Sequence, residues 1–132
     1  MNKKFILGIA AAAAIAVGSL SASAEGFAKT NTYTPGMFND VPASEWYASS
    51  VSSSYELGFM KGTADGVFSP EGNMTVAEAV TIAARVHDAY NAKGTTFSQN
   101  GANWYDEYVK YAIDNGIIKA DAFDDYDRPV KR

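Results

Sequence analysis

The chain has 132 residues, no cysteine, a single histidine and a formal net charge of −4. That length bounds it to one small domain or a pair of short repeats. The lack of cysteine excludes disulfides. An acidic balance without a basic stretch excludes a nucleic-acid binder or a polybasic membrane patch, because both need clustered Lys and Arg.

Lys3 and Lys4 precede an uncharged run from Phe5 to Leu20, which Ser21-Ala22-Ser23-Ala24 closes with small side chains. Ala22-Ser23-Ala24 fits the A-x-A pattern of a signal-peptidase site. The run sits at the short edge for spanning a bilayer and is diluted by alanine, so cleavage is expected rather than anchoring. The expected products are a signal peptide, residues 1–24, and an exported chain beginning at Glu25, with no membrane association after cleavage. Losing Lys3 and Lys4 leaves that chain more acidic still. A cysteine-free exported protein fits a Gram-positive surface.

From Glu25 to Gly36 the chain is polar and reads as a flexible lead-in, with order expected from Met37-Phe38. Ser44 to Leu57 is a helix candidate. Ser44 is placed to cap it, Glu45 suits the positive first turn, and Gly58 can end it in a left-handed conformation. Tyr47, Val51 and Tyr55 make its apolar stripe. Gly58 to Asn73 is a turn-rich connector whose Phe59, Met60, Val67 and Phe68 should tuck under the helices. Thr75 to Tyr90 is a second helix, opened by the capping box Thr75-Val76-Ala77-Glu78. Its expected buried face is Ala79, Ile82, Ala83, Val86 and Tyr90. Asn91 to Gly101 reads as a linker. Trp104 to Asn115 is a third helix with Tyr105, Val109, Ala112 and Ile113 as its stripe, stopped by Gly116 and followed by Ile117-Ile118.

The first and third helices are alike. Trp46-Tyr47 corresponds to Trp104-Tyr105, Val51 to Val109, Tyr55 to Ile113 and Gly58 to Gly116, all at one offset. Phe68-Ser69-Pro70 corresponds more loosely to Tyr126-Asp127-Arg128-Pro129. An internal repeat of this size means stacked modules, each too small to bury its own apolar face.

The first copy reads Phe38-Asn39-Asp40-Val41, Trp46-Tyr47, Gly58-Phe59-Met60-Lys61-Gly62, Gly66-Val67-Phe68-Ser69-Pro70 and Met74-Thr75-Val76-Ala77-Glu78. In order and spacing this resembles the surface-layer-homology (SLH) family, whose pattern runs F-x-D-V, W, G-I-x-G, G-x-F-x-P and I-T-R-A-E. The second copy follows the pattern from Trp104 to Arg132. The resemblance implies an all-α fold of short helical hairpin repeats behind the signal peptide. The lead-in covers residues 25–36, the first repeat 37–92, a linker 93–102, and a second repeat 103–132 that stops before its T-R-A-E helix. From that stop we expect residues after Asn91 to be less stable than the Thr75–Tyr90 helix, and the chain to self-associate.

The resemblance further implies a non-covalent module of the cell wall or cell surface that binds a secondary cell-wall polysaccharide, often pyruvylated and so anionic. A site for such a sugar needs a cation or backbone N–H groups, a stacking aromatic and hydroxyl donors. Trp46 and Trp104 are read first as anchors of their helices to the neighbouring module, with part of each ring lining a groove where a sugar can stack. Lys61 can pair with a carboxylate, and Gly62, chiefly a turn residue, can expose its N–H. Arg128, Lys131 and Arg132 form the one dense basic group, equally readable as an anion site or a solvated tail. Where the family has Arg in T-R-A-E, this chain has Val76, and an Arg at that position is expected to reach the groove and strengthen binding.

Enzymatic readings find little support. His87 has no metal-ligating companions in the sequence. The acidic run Asp121, Asp124, Asp125 and Asp127 lacks the spacing and the central Gly of a calcium loop. G-x-S-x-G, phosphate-loop and H-E-x-x-H motifs are absent. We therefore expect no cofactor, no metal and no catalysis. The rivals are a surface-layer structural fragment without ligand binding and a small wall-active hydrolase.

Overall fold

Two nine-residue helices, α1 (Ala48–Glu56) and α3 (Asp106–Asp114), flank a longer one, α2 (Val76–Tyr90). The computed structural model describes residues 26–130, so the signal peptide, its cleavage site at Ala24-Glu25, and Lys131 and Arg132 lie outside the described residues. Among the described residues there is no strand, only the isolated bridges Ala64–Val67 and Thr75–Pro129. The fold is all-α.

The repeat seen in the sequence is a repeat of backbone conformation. Each short helix begins after a Trp-Tyr pair packed edge to face, with ring centroids 5.6 Å apart in the first copy and 5.5 Å in the second. Each ends at a glycine with positive φ, +73° at Gly58 and +70° at Gly116. The chain then folds back so that Phe59 and Met60 donate to the Ser54 carbonyl, as Ile117 and Ile118 donate to that of Ala112. Both helices start later than the sequence suggests. Ser44 does not cap α1 and Glu45 is not in its first turn. Residues 42–48 instead form successive turns, with Glu45 N–H on the Pro42 carbonyl and Ala48 N–H on that of Glu45. Tyr47, at the N-cap, already has helical dihedrals and makes no side-chain cap.

Phe38, Val41, Val51 and Phe68 form one core, with Tyr33, Met37, Tyr47, Tyr55 and Met60 around it. Asp40 fixes its geometry: the carboxylate accepts the N–H groups of Phe68 (2.9 Å) and Ser69 (2.7 Å). These bonds, that from Phe68 foremost, hold the Asp40 carboxyl below its ordinary value of 3.8. Residues 27–33, within the segment read as a lead-in, lie along the end of α1. Thr30 and Asn31 N–H donate to the Glu56 carbonyl, and the Asn31 side chain donates to that of Tyr55. They thereby satisfy carbonyls that a helix C-terminus leaves without partners. Phe97, in the segment read as a linker, stacks on Tyr108 with centroids 4.5 Å apart.

The second core joins α2 to α3 through Val76, Val80 and Ala112. Here the expected face of α2 must be corrected. Its buried residues are Val76, Ala77, Val80, Thr81, Ala84 and Asp88, whereas Ala79, Ile82, Ala83 and Val86 are half-buried and Tyr90 is exposed. Val76 and Val80 pack on Ala112 of α3, and Ala77, Ala84 and Ala112 are wholly excluded from solvent. Asp88 is tolerated inside because its carboxylate accepts the Thr95 N–H.

The start of α2 is closed. Thr75 and Glu78 form the capping box: the Thr75 hydroxyl accepts the Glu78 N–H (3.2 Å) and the Glu78 carboxylate accepts that of Thr75 (2.7 Å). The next two orphan donors go to the second copy. Val76 N–H meets the Arg128 carbonyl at 3.0 Å, and Ala77 N–H meets that of Tyr126 at 2.8 Å. All four free donors of the helix are thus used. Val76 itself is 3% exposed, inside the second core, and does not line a groove as the motif comparison suggests.

Candidate ligand-binding cleft

A cleft of about 310 Å³ lies where the Gly-rich connector, α2 and the start of the second copy meet. The connector contributes Lys61, Gly62 and Thr63 to its wall, α2 contributes Glu78, Thr81, Ile82 and Arg85, and the second copy contributes Trp104. Gly62 has φ +87°, and a Cβ there would sit 2.5 Å from the Val67 carbonyl oxygen. Only glycine lets the connector fold this tightly, and this fold brings Lys61 and Thr63 to the cleft.

Three of the sequence-derived candidates, Lys61, Gly62 and Trp104, therefore come together. The others do not. Trp46 is 84% exposed with its ring edge to face on Tyr47, so among the described residues it does not anchor α1 to a neighbouring module. Trp104, its counterpart, is 44% exposed beside α2. The difference is what precedes each Trp: the second copy starts against α2 of the first. Arg128 lies apart from the cleft, its guanidinium over the Phe123 ring at 5.7 Å.

Two wall residues escaped the sequence reading. Arg85 donates to the Phe59 carbonyl (3.1 Å) and to the Tyr108 hydroxyl (2.9 Å), tying the connector and α3 to α2. Its signal was its position two turns after Glu78 on the same helix face. Thr81 is 4% exposed, and its hydroxyl has no hydrogen-bond partner. The oxygen itself is shut off from solvent, so it lies behind the cleft wall and does not face the cleft. Thr63 and Ser69 hydroxyls pair at 2.7 Å nearby. The cleft thus combines the cations Lys61 and Arg85, hydroxyls, the Glu78 carboxylate held in the cap, the Trp104 indole and apolar surface from Met60 and Ile82. That inventory suits a sugar ring carrying a negative group.

A second, more open groove of about 440 Å³ runs along α3, lined by Tyr105, Val109, Ile113 and Tyr126 with Asp106, Lys110 and Asp114 at its rim. Its electrostatics are opposite. Burial, followed by the charges of Asp127, Asp106 and Asp125, pushes the Tyr105 hydroxyl above its ordinary value. His87 bridges α2 to α3 through the Tyr111 hydroxyl at 3.0 Å. Among the described residues no group of three or more His, Cys, Asp or Glu is arranged to hold a metal, and no helix is long and apolar enough to cross a membrane.

Comparison with known proteins gives two kinds of match. Residues 38–80 match the family model for the S-layer homology domain. Over 84 residues, 62% of this chain, the sequence is 32% identical to the S-layer protein sap of Bacillus anthracis and 31% identical to an S-layer protein of Bacillus thuringiensis subsp. finitimus. The aligned stretch spans only 10% of each of these relatives. No solved structure matches.

Proposed function

We propose that this chain, which carries an S-layer homology domain over residues 38–80 and is homologous to S-layer proteins, is a non-covalent cell-wall binding module for an anionic, pyruvylated secondary cell-wall polysaccharide. Domains of this family generally anchor S-layer proteins to the wall of the cell surface. The observation that supports a specific ligand is the cleft, where Lys61 and Gly62 of the first copy meet Trp104 of the second beside Arg85. In this reading the indole stacks on the sugar and Lys61 pairs with the pyruvyl carboxylate. Arg128, turned toward Phe123, then acts at most as a long-range attraction. Cleavage after Ala24 delivers the module to the exterior of a Gram-positive cell.

The test is co-sedimentation with purified wall sacculi before and after removal of the pyruvylated polymer. Retention should depend on the polymer. It should fall about tenfold in Lys61→Ala, the scale expected for losing one charge-assisted contact. Trp104→Ala should weaken it comparably, and Trp46→Ala should not. Retention indifferent to the polymer would overturn the ligand assignment, and catalytic release of soluble sugar from the wall would replace it with a hydrolase.

A further inference from the structure

The internal repeat supplies a template for the open groove on α3. In the first copy the equivalent surface is filled. Phe38 lies 5.6 Å from the Tyr55 ring and 5.2 Å from that of Phe68, and Val41 completes the core with Val51. The same offset turns Tyr55, Phe68 and Val51 into Ile113, Tyr126 and Val109, the residues that line the open groove. It turns Phe38 and Val41 into Thr96 and Gln99, which cannot fill it. The nearest aromatic, Phe97, lies elsewhere, packed on Tyr108 and Tyr111. The second copy therefore has the seat without its occupant.

The carboxylate of the first copy's plug is also accounted for. Asp40 accepts the Ser69 N–H; at the equivalent position the Asp127 N–H is accepted by Asp125 of the same turn at 2.9 Å. An incoming carboxylate would find only the Tyr126 N–H, the counterpart of Phe68, and would face Asp106, Asp125 and Asp127. We propose that the α3 groove docks an extended, non-acidic segment of another polypeptide, seating an aromatic side chain between Ile113 and Tyr126 and a β-branched side chain, three residues later, on Val109.

The probe is a synthetic peptide of residues 36–43 carrying Asp40→Asn, added to the purified chain and followed through the methyl resonances of Val109 and Ile113. Saturable shifts at both are expected. The peptide with native Asp40 should bind about two- to fivefold more weakly, the scale of an exposed like-charge contact. A peptide with Phe38→Ala should bind about tenfold or more weakly, from the lost aromatic burial. Ile113→Asp in the chain, with its melting temperature unchanged, should abolish the shift at Val109. No shift at millimolar peptide overturns the proposal, as does a tighter complex with the native Asp40 peptide. Nuclear Overhauser contacts between the Phe97 ring and Ile113 in the free chain overturn it too, because the groove is then filled in cis. A dimer joined through α3 without peptide also overturns it, in favour of a second copy.

Discussion

Val76→Arg separates the motif from the structure. By motif alone the substitution restores the cation of T-R-A-E and should strengthen wall binding. In the structure Val76 is 3% exposed and packs with Val80 and Ala112, beneath a segment whose carbonyls hold the first two N–H groups of α2. Removing the buried valine forfeits about 1.5–3 kcal/mol. Forcing a longer side chain into a filled space costs roughly 1–3 kcal/mol more. A buried guanidinium without a partner adds a penalty of several kcal/mol, unless it reaches solvent by displacing residues 126–130. Either route costs about 4 kcal/mol or more, a large share of the roughly 5–15 kcal/mol expected of a domain this size. Urea denaturation should show a strongly lowered midpoint, and wall retention should fall with the folded fraction. Val76→Ala, a cavity without a charge, should lose less, about 1–3 kcal/mol. If Val76→Arg melted like the parent and bound the wall more tightly, residue 76 would face the ligand and the packing argument would be wrong.

Thr75→Ala and Glu78→Ala each remove half of the capping box and should cost about 0.5–2 kcal/mol in thermal unfolding, with the double variant less than additive because the two groups act as one unit. Gly62→Ala must adopt a left-handed conformation and meets the Val67 carbonyl, so about 2–3 kcal/mol should be lost. Gly116→Ala, with φ +70° and open space around it, should lose only about 1 kcal/mol, and equal losses would refute the steric reading. Because the folded state depresses the Asp40 carboxyl, its stabilising contribution is complete above 3.8 and is lost as the pH falls through the lower folded-state value. Asp40→Asn should therefore lower stability at neutral pH and flatten the acid limb below 3.8, and an unchanged slope would count against the clamp. Mass spectrometry of the exported protein should find Glu25 at the N-terminus.

Much of the fold was legible because its signals are local. Gly58 and Gly116 stop helices wherever the chain around them goes, since the left-handed conformation is a property of the residue. The capping box needs only residues 75–78. The repeat was visible because equal backbone geometry demanded equal residue types at equal spacing. Helix starts were less legible: the turns after Pro42 compete with a Ser44 cap for the same backbone, and the winner depends on the Phe38 and Val41 core beneath them. The candidate site divided in the same way. Lys61 and Gly62 belong to one local motif, but nothing within the chain's local order says that Trp104 joins them, that Trp46 does not, or that Arg85 is oriented by Phe59 and Tyr108.

The sequence by itself determined the helices, their stops, the cap and the twofold recurrence, because each depends on dihedral preference and on hydrogen bonds within a few residues. Only the tertiary structure decided which face of α2 is inside, because that depends on where α3 and residues 126–130 pack against Val76 and Val80. It also decided that residue 76 is core and not a ligand contact, because the carbonyls that bury it arrive from Tyr126 and Arg128, some fifty residues away along the chain.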